Sequence, residues 1–215
     1  VDASAENTIV YSAGSNAQVS VDYVESKIGE LTGADVLGLC LESPIETVTA
    51  CARLCHEAGV RVLLNDSPFT ADLPAELIEH TDILLVNEIE MAQLLDLQAP
   101  ADDDWSAFDW PLALERLEAL GIRQAVVTLG ADGSVVLDAT ADEHVTRIAP
   151  VRVDAVDTTG CGDSFMGTVL AGLASGWSLA ASARAAAYVS AYAASGRGAQ
   201  ASYGTPAQIR AKFEA

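Results

Sequence analysis

The amino-acid sequence predicts an α/β domain, doubly wound around a mostly parallel sheet with helices on both faces. Apolar strand-like runs alternate with helical segments along the whole chain. Several of these runs, such as VLGLCL, VLL, ILLV and AVV, are continuously apolar rather than alternating, the pattern of strands buried on both faces. The chain has 215 residues, half of them hydrophobic, which suits one domain with a sizeable core.

In order along the chain, residues 6–20 (ENTIVYSAGSNAQVS) read as a strand and a Gly/Asn turn, and VDYVESKIGEL as an amphipathic helix. ADVLGLCLE reads as a buried strand. SPIETVTACARLCHEAG reads as a helix with Ser43 as N-cap, Pro44 at its first position, Glu46 three residues after the cap and Gly59 as its stop. The strand VRVLLNDSP is followed by a short helix, PAELIEH. TDILLVNE is a strand ending in polar residues, and IEMAQLLDL a helix. An acidic, Trp-containing loop (ADDDWSAFDW) precedes the helix PLALERLEALG. The strands QAVVTLG and GSVVLDA flank an ADG turn, and EHVTRIAPVRV reads as a further strand pair. SFMGTVLAGLASG is a Gly-rich helix, LAASARAAAYVSAYAASG an Ala-rich one, and TPAQIRAKFEA closes the chain as a helix. There is no internal repeat. Ligands of such sheets sit beyond the carboxyl ends of the strands, so Glu42, Asn65, Asn87, Thr128 and Asp157 are expected to line one crevice.

The formal net charge is −20, from 11 Lys+Arg against 31 Asp+Glu. Such a surface repels nucleic acid and anionic lipid. If the ligand carries phosphates, they must be held locally, by helix N-termini, a metal ion and a few placed cations. Cys51 and Cys55, one helical turn apart and followed by His56, resemble a metal clip, but no second ligand pair follows at a zinc-like spacing. They read as buried thiols, and with Cys40 and Cys161 they suit a reducing cytoplasm. No stretch is apolar for long enough to span a bilayer, and no signal peptide opens the chain. Val1 begins mid-strand, which leads us to expect a missing N-terminal portion.

The strongest chemical signal is Asp157-Thr158-Thr159-Gly160-Cys161-Gly162-Asp163, followed directly by a helix. Gly160 and Gly162 let backbone approach a ligand closely, and the new helix aims unpaired N–H groups and partial positive charge at it. That is an anion hole suited to phosphoryl transfer. Asp163 at its rim can accept a proton from an attacking hydroxyl. The plainer alternative is a turn with Asp163 as a helix cap.

This element resembles the second signature of the ribokinase-like (pfkB) carbohydrate kinases. The resemblance implies that Asp163 is the base, that Gly160, Cys161 and Gly162 form the anion hole, and that Asp163 also touches the acceptor. Cys161 stands where the family usually has Ala. Asn87-Glu88-Ile89-Glu90 resembles the family's Asn-x-x-Glu element, implying that Asn87 and Glu90 organise magnesium and phosphate; taken alone it reads as a capped helix start. Thr128 to Gly133 resembles the strand and turn that meet the nucleotide, which implicates Thr128, Gly130 and Gly133 alongside Gly162; taken alone it is an ordinary β-turn. Ser195 to Ser202 resembles a monovalent-cation loop, implying Asp157, Thr159, Ala193, Gly196, Gly198 and Ser202 as potassium ligands. Leu41-Glu42-Ser43-Pro44 resembles a strand end whose Glu42 touches a sugar hydroxyl, and Glu6-Asn7 to Gly14-Ser15-Asn16-Ala17 the stretch leaving a lid, over residues 1–20. By the same resemblance, Ala186 occupies a position where the family often places a polar residue near the adenine.

The family's first signature, Gly-Gly-x-Gly-x-Asn, is absent, as are the early sugar-binding Asp and most of the lid. Within the family, the expected activity is ATP-dependent phosphorylation of a small sugar, with ribose the first choice. The partners implied are ATP, Mg2+, K+ and the sugar, with a cytoplasmic homodimer as the full-length assembly. A different acceptor, or a non-catalytic binder on the same fold, are the alternatives.

Overall fold

The computed structural model describes residues 10–102 and 104–214. They fall into two compact units, of which the larger is Ala13–Gly130 with Val135–Arg147 and the smaller comprises 10–12, Ala131–Ser134 and 148–214.

The larger unit is the sheet unit. Its elements are α1 (Val21–Ser26), α2 (Ile28–Leu31), β1 (Val36–Leu39), α3 (Ile45–Glu57), β2 (Arg61–Asn65), α4 (Ala75–Glu79), β3 (Ile83–Asn87), α5 (Glu88–Leu94), α6 (Trp110–Leu120), β4 (Gln124–Thr128), β5 (Ser134–Asp138) and β6 (Val145–Ile148). The strands form one sheet in the order β1-β2-β3-β4-β5-β6. The first four are parallel, with Leu39 opposite Leu64, Asn65 opposite Leu85 and Asn87 opposite Thr128. The connections 129–133 and 139–144 are far shorter than a parallel crossover, which takes about a dozen residues or more, so β5 and β6 run antiparallel. The Ala139 N–H donating to the Arg123 carbonyl at 2.9 Å agrees.

Both faces of the strands are buried. On one face Val62, Leu64, Leu84, Val86, Ala125 and Val127 join a core with Cys55 of α3, Leu77 of α4, Met91 of α5 and Leu117 of α6. The residues between them, Leu63, Ile83, Leu85 and Val126, are just as buried. Each such side chain contributes roughly 1.5–3 kcal/mol, which is why these runs carry no alternation. β1 is only partly buried along its length, because it is the end strand of the described sheet.

Several local expectations change. Glu6 and Asn7 lie outside the described residues, and residues 10–20 contain no strand but a 3-10 turn at Gly14–Gln18. The helix expected over VDYVESKIGEL breaks at Lys27, which leaves helical geometry (φ −108°, ψ 7°) between α1 and α2. In α3, Pro44 rather than Ser43 is the N-cap and no side chain caps the helix; the proline φ already presets the entry. Gly59 does follow its end, at φ +83°. The acidic loop holds a 3-10 turn, Trp105–Ala107. Its two tryptophans are buried, with Phe108 4.9 Å from both rings, and Arg147 donates to the Trp105 and Ser106 carbonyls. Of the strand pair expected over EHVTRIAPVRV only β6 forms.

The smaller unit contains α7 (Cys161–Ala174), α8 (Leu179–Ala194) and α9 (Pro206–Phe213). α7 and α8 pack closely. A Cβ on Gly172 would lie 2.4 Å from the Ser182 hydroxyl and 3.2 Å from its Cα. The Ala-rich sequence of α8 is therefore a contact surface, with Ala183 and Ala186 fully buried. α9 starts in a capping box between Thr205 and Gln208 with Pro206 at N1. Lys212 ties it to Ser195 at the end of α8.

Candidate active site

The glycine-rich turn lies in the smaller unit. Gly160 is the N-cap of α7 at φ +80°, a left-handed conformation that disfavours any side chain. A Cβ there would also sit 2.7 Å from the Tyr203 hydroxyl and 3.0 Å from the Ala199 Cβ, so glycine is required twice over. Gly162 differs. It is the second residue of α7, its φ is not left-handed, and a Cβ there would meet no atom of the described residues within 4 Å. Among the described residues no atom demands glycine at 162, although alanine is the better helix former. The open space beside the N–H groups of the first turn is what a close-approaching anion needs.

Asp163 is in that first turn and exposed. Cys161 donates from its thiol to the Ser190 carbonyl at 3.6 Å. Burial first, then the charges of Asp157 and Asp163, push its pKa up to about 11, so the thiol is not a nucleophile at neutral pH.

Asp157 is buried but follows no strand, since residues 149–160 form none; its expected place at a strand end is corrected. Its carboxylate braces two loops. It accepts the Thr159 N–H on one oxygen and the Gly198 N–H on the other, both at 2.9 Å. The Thr159 hydroxyl first, then these two N–H groups, hold its pKa down at about 2. The segment carrying the other predicted cation ligands is compact. Gly196 N–H donates to the Ala193 carbonyl, a Cβ on Gly196 would lie 3.0 Å from the Ser202 Cβ, and the Ser202 hydroxyl donates to the Ala199 carbonyl. A permanent carboxylate charge among hydroxyls and carbonyls suits a hard monovalent cation.

Of the other predicted residues, Glu42, Asn87, Glu90, Thr128 and Gly130 are in the sheet unit, at or just beyond the carboxyl ends of its parallel strands. Asn87 caps α5: its side-chain oxygen accepts the Glu90 N–H at 2.8 Å while Glu90 accepts the Asn87 N–H at 2.8 Å. The capped-helix alternative is therefore realised, and it fixes the Glu90 carboxylate. Burial raises the Glu90 pKa against the lowering effect of the Asn87 N–H. Thr128 pairs with Asn87 in register and donates to the Val86 carbonyl at 3.5 Å. Glu42 follows β1 and is half-buried, in a turn whose Leu41 N–H donates to the Ser67 carbonyl. Gly130 opens a 3-10 turn at φ +53°. In the smaller unit, Gly133 has φ +94°, and a Cβ there would lie 2.2 Å from the Ile148 carbonyl oxygen, so its close approach is to the chain's own backbone.

Sequence reasoning missed the acidic member of NDSP. Asp66 is fully buried; one carboxylate oxygen accepts the Thr70 N–H at 3.1 Å and the other has no hydrogen-bond partner among the described residues. Burial, then the nearby Glu90 charge, push its pKa up to about 6. The signal was there: an ionisable residue directly after a buried strand. Two desolvated carboxyl groups with one orphaned oxygen fit a divalent cation, which takes one or two carboxylates and completes its shell with substrate phosphates and water. Among the described residues no three His, Cys, Asp or Glu side chains converge on one point. Cys51 and Cys55 are buried free thiols, and burial raises the pKa of both, that of Cys51 to about 11. No helix of the described residues is long and apolar enough to cross a membrane.

The sequence and fold have relatives among known proteins. The model of the pfkB family carbohydrate kinases matches residues 1–206. A ribokinase of Schizosaccharomyces pombe is 30% identical over 214 residues, covering 99% of this chain and 65% of its own length. A deoxyribokinase of Salmonella typhi is 28% identical over 203 residues, covering 94% and 64%. The chain thus spans less than two thirds of the length of these relatives. The crystal structure of a ribokinase from Thermotoga maritima superposes with a TM-score of 0.81 at 25% identity, covering all of this chain and 68% of that one. A family match over nearly the whole chain, with the family's fold beneath it, settles the matter of kinship: the chain belongs to the pfkB family of carbohydrate kinases.

Proposed function

We propose that the chain transfers the γ-phosphoryl group of ATP to a primary hydroxyl of a small sugar, with D-ribose the first acceptor to test. The observation that carries this reading is the Gly160–Asp163 turn, where an otherwise unexplained glycine at 162 leaves open space beside a helix start and Asp163. The hydroxyl oxygen bonds to the γ-phosphorus, the bond from that phosphorus to the β,γ-bridging oxygen breaks, and ADP leaves with the electron pair. The hydroxyl proton passes to the Asp163 carboxylate. The N–H groups of the α7 first turn, with Gly160, Cys161 and Gly162, hold the charge on the moving phosphoryl group.

Glu90, fixed by Asn87 and joined by Asp66, would hold a magnesium ion, which would supply charge neutralisation on the nucleotide phosphates. Thr128, Gly130 and Gly133 belong to the nucleotide side, and Glu42 seats the sugar. Asp157, Thr159, Ala193, Gly196, Gly198 and Ser202 are the proposed potassium ligands. The free thiols suit a cytoplasmic protein, and a homodimer is the assembly expected.

A ribokinase and a deoxyribokinase among the relatives keep the acceptor within small sugars. The test is ADP release from ATP and Mg2+ in the presence of ribose, deoxyribose, hexoses, sugar phosphates and nucleosides, beside a thermal-shift panel of the same compounds. Ribose-dependent release supports the reading; release with nucleosides alone moves the acceptor class; no acceptor-dependent release with any of them overturns it.

A further inference from the structure

We propose that Tyr203 is a positioning residue for phosphoryl transfer, its hydroxyl holding the Gly160 carbonyl so that the N–H groups of the α7 first turn keep their aim. This rests on the kinase reading above. The Tyr203 hydroxyl donates to the Gly160 carbonyl at 2.9 Å. That carbonyl also accepts the Ser164 N–H at 3.0 Å, the first i to i+4 bond of the helix. The tyrosine therefore grips the peptide where the left-handed turn becomes helix.

The grip is stiff from both sides. Ala199 packs against Gly160, with a would-be Cβ only 3.0 Å and 3.1 Å from its Cβ and Cα. Tyr203 directly follows the 3-10 turn Gln200–Ser202, closed by Ser202 N–H to Ala199 and Tyr203 N–H to Gln200. The next residue, Gly204, lies against the Tyr192 ring, where a Cβ would come 2.5 Å from a ring atom, which limits how far the backbone behind Tyr203 can retreat. Asp157 clamps the same two loops through Thr159 and Gly198.

A surface tyrosine with one hydrogen bond could simply add stability. The distinction lies in what its loss moves. Tyr203→Phe removes one oxygen and leaves the ring in place. If the hydroxyl only stabilises the fold, affinity for ADP and for ADP with aluminium fluoride, a mimic of the transferring phosphoryl group, should change together or not at all. If it aims the turn, the fluoride complex should weaken while ADP holds.

The experiment is calorimetric binding of Mg-ADP, with and without aluminium fluoride and with ribose present, beside steady-state kinetics of the wild type and Tyr203→Phe. We expect the fluoride complex and kcat to fall together by about 2- to 12-fold, the range one neutral hydrogen bond carries, with KM for the sugar and affinity for ADP unchanged. Equal loss for both ligands, or none for either, overturns the proposal. If the wild type binds no nucleotide the kinase reading itself fails and this proposal falls with it; if the wild type binds and turns over while Tyr203→Phe is indistinguishable from it, only the positioning role is lost.

Discussion

Replacing Gly162 by alanine should make the protein more stable and a worse catalyst. At this position a methyl group meets no atom of the described residues within 4 Å, and the backbone is not left-handed. Inside a helix, alanine is favoured over glycine by about 0.5–1 kcal/mol. For a chain of this size that corresponds to a rise in Tm of about 1–4 °C. The same methyl would project into the space where the phosphoryl group has to approach the α7 N–H groups. Displacing a reacting group by about 1 Å costs on the order of 100-fold, so kcat/KM for ATP should fall by at least that factor. Gly160→Ala provides the contrast. There the left-handed φ and the contacts to Tyr203 and Ala199 should lower Tm by several degrees, on the order of 2 kcal/mol. Differential scanning fluorimetry and coupled ADP release, run on the same preparations, read both quantities. An unchanged kcat/KM in a stabilised Gly162→Ala protein would show that the space has no part in transfer, and a fall in Tm would refute the reading of the helix start.

Asp163→Asn should lower kcat by on the order of 10²–10⁴ while nucleotide binding by calorimetry is largely kept; near-normal turnover would remove Asp163 as the base. Replacing sodium by potassium at constant ionic strength should raise activity, and a flat response would dismiss the cation loop around Asp157 and Ser202. Asp66 has a raised pKa, about 6, against about 3.9 for an unfolded aspartate. Its contribution to stability is therefore fully present below about pH 4 and is lost as pH rises through 6. Asp66→Asn in EDTA should flatten that fall and raise stability at pH 7.5 by about 1–3 kcal/mol, measured by urea unfolding between pH 4 and 8; an unchanged pH profile would place the titration elsewhere. The same variant should lose part of the rise in Tm that Mg2+ gives the wild type.

The sheet was legible in the sequence because its core strands are buried on both sides, which forces continuous apolar runs such as Ile83–Val86 whatever the neighbours are. The turn 157–163 was legible because a left-handed glycine and a helix start leave a local trace. What could not be read depends on partners far along the chain. Gly133 resembled a ligand-facing glycine, yet its close neighbour is the Ile148 backbone. Asp157 resembled a strand-end residue, yet it works as a brace to Gly198, 41 positions away. Asp66 passed as an ordinary turn residue although it directly follows a buried strand, because the lack of a partner for its second carboxylate oxygen among the described residues is decided by tertiary packing. Ser43 looked like a cap because its neighbours fit a capping pattern, and the chain instead enters α3 through Pro44.

The contact between Gly172 of α7 and Ser182 of α8 has a bearing on how the site can change over evolutionary or laboratory time. With 2.4 Å between a hypothetical Cβ and the serine hydroxyl, the two helices leave no slack into which a larger side chain could be absorbed. They must translate as one piece, and the turn that α7 carries at its head goes with them. Variation that retunes acceptor choice is thereby steered away from this seam and into loops, whereas a library that randomises Gly172 should return either glycine or misfolded protein, with few intermediates.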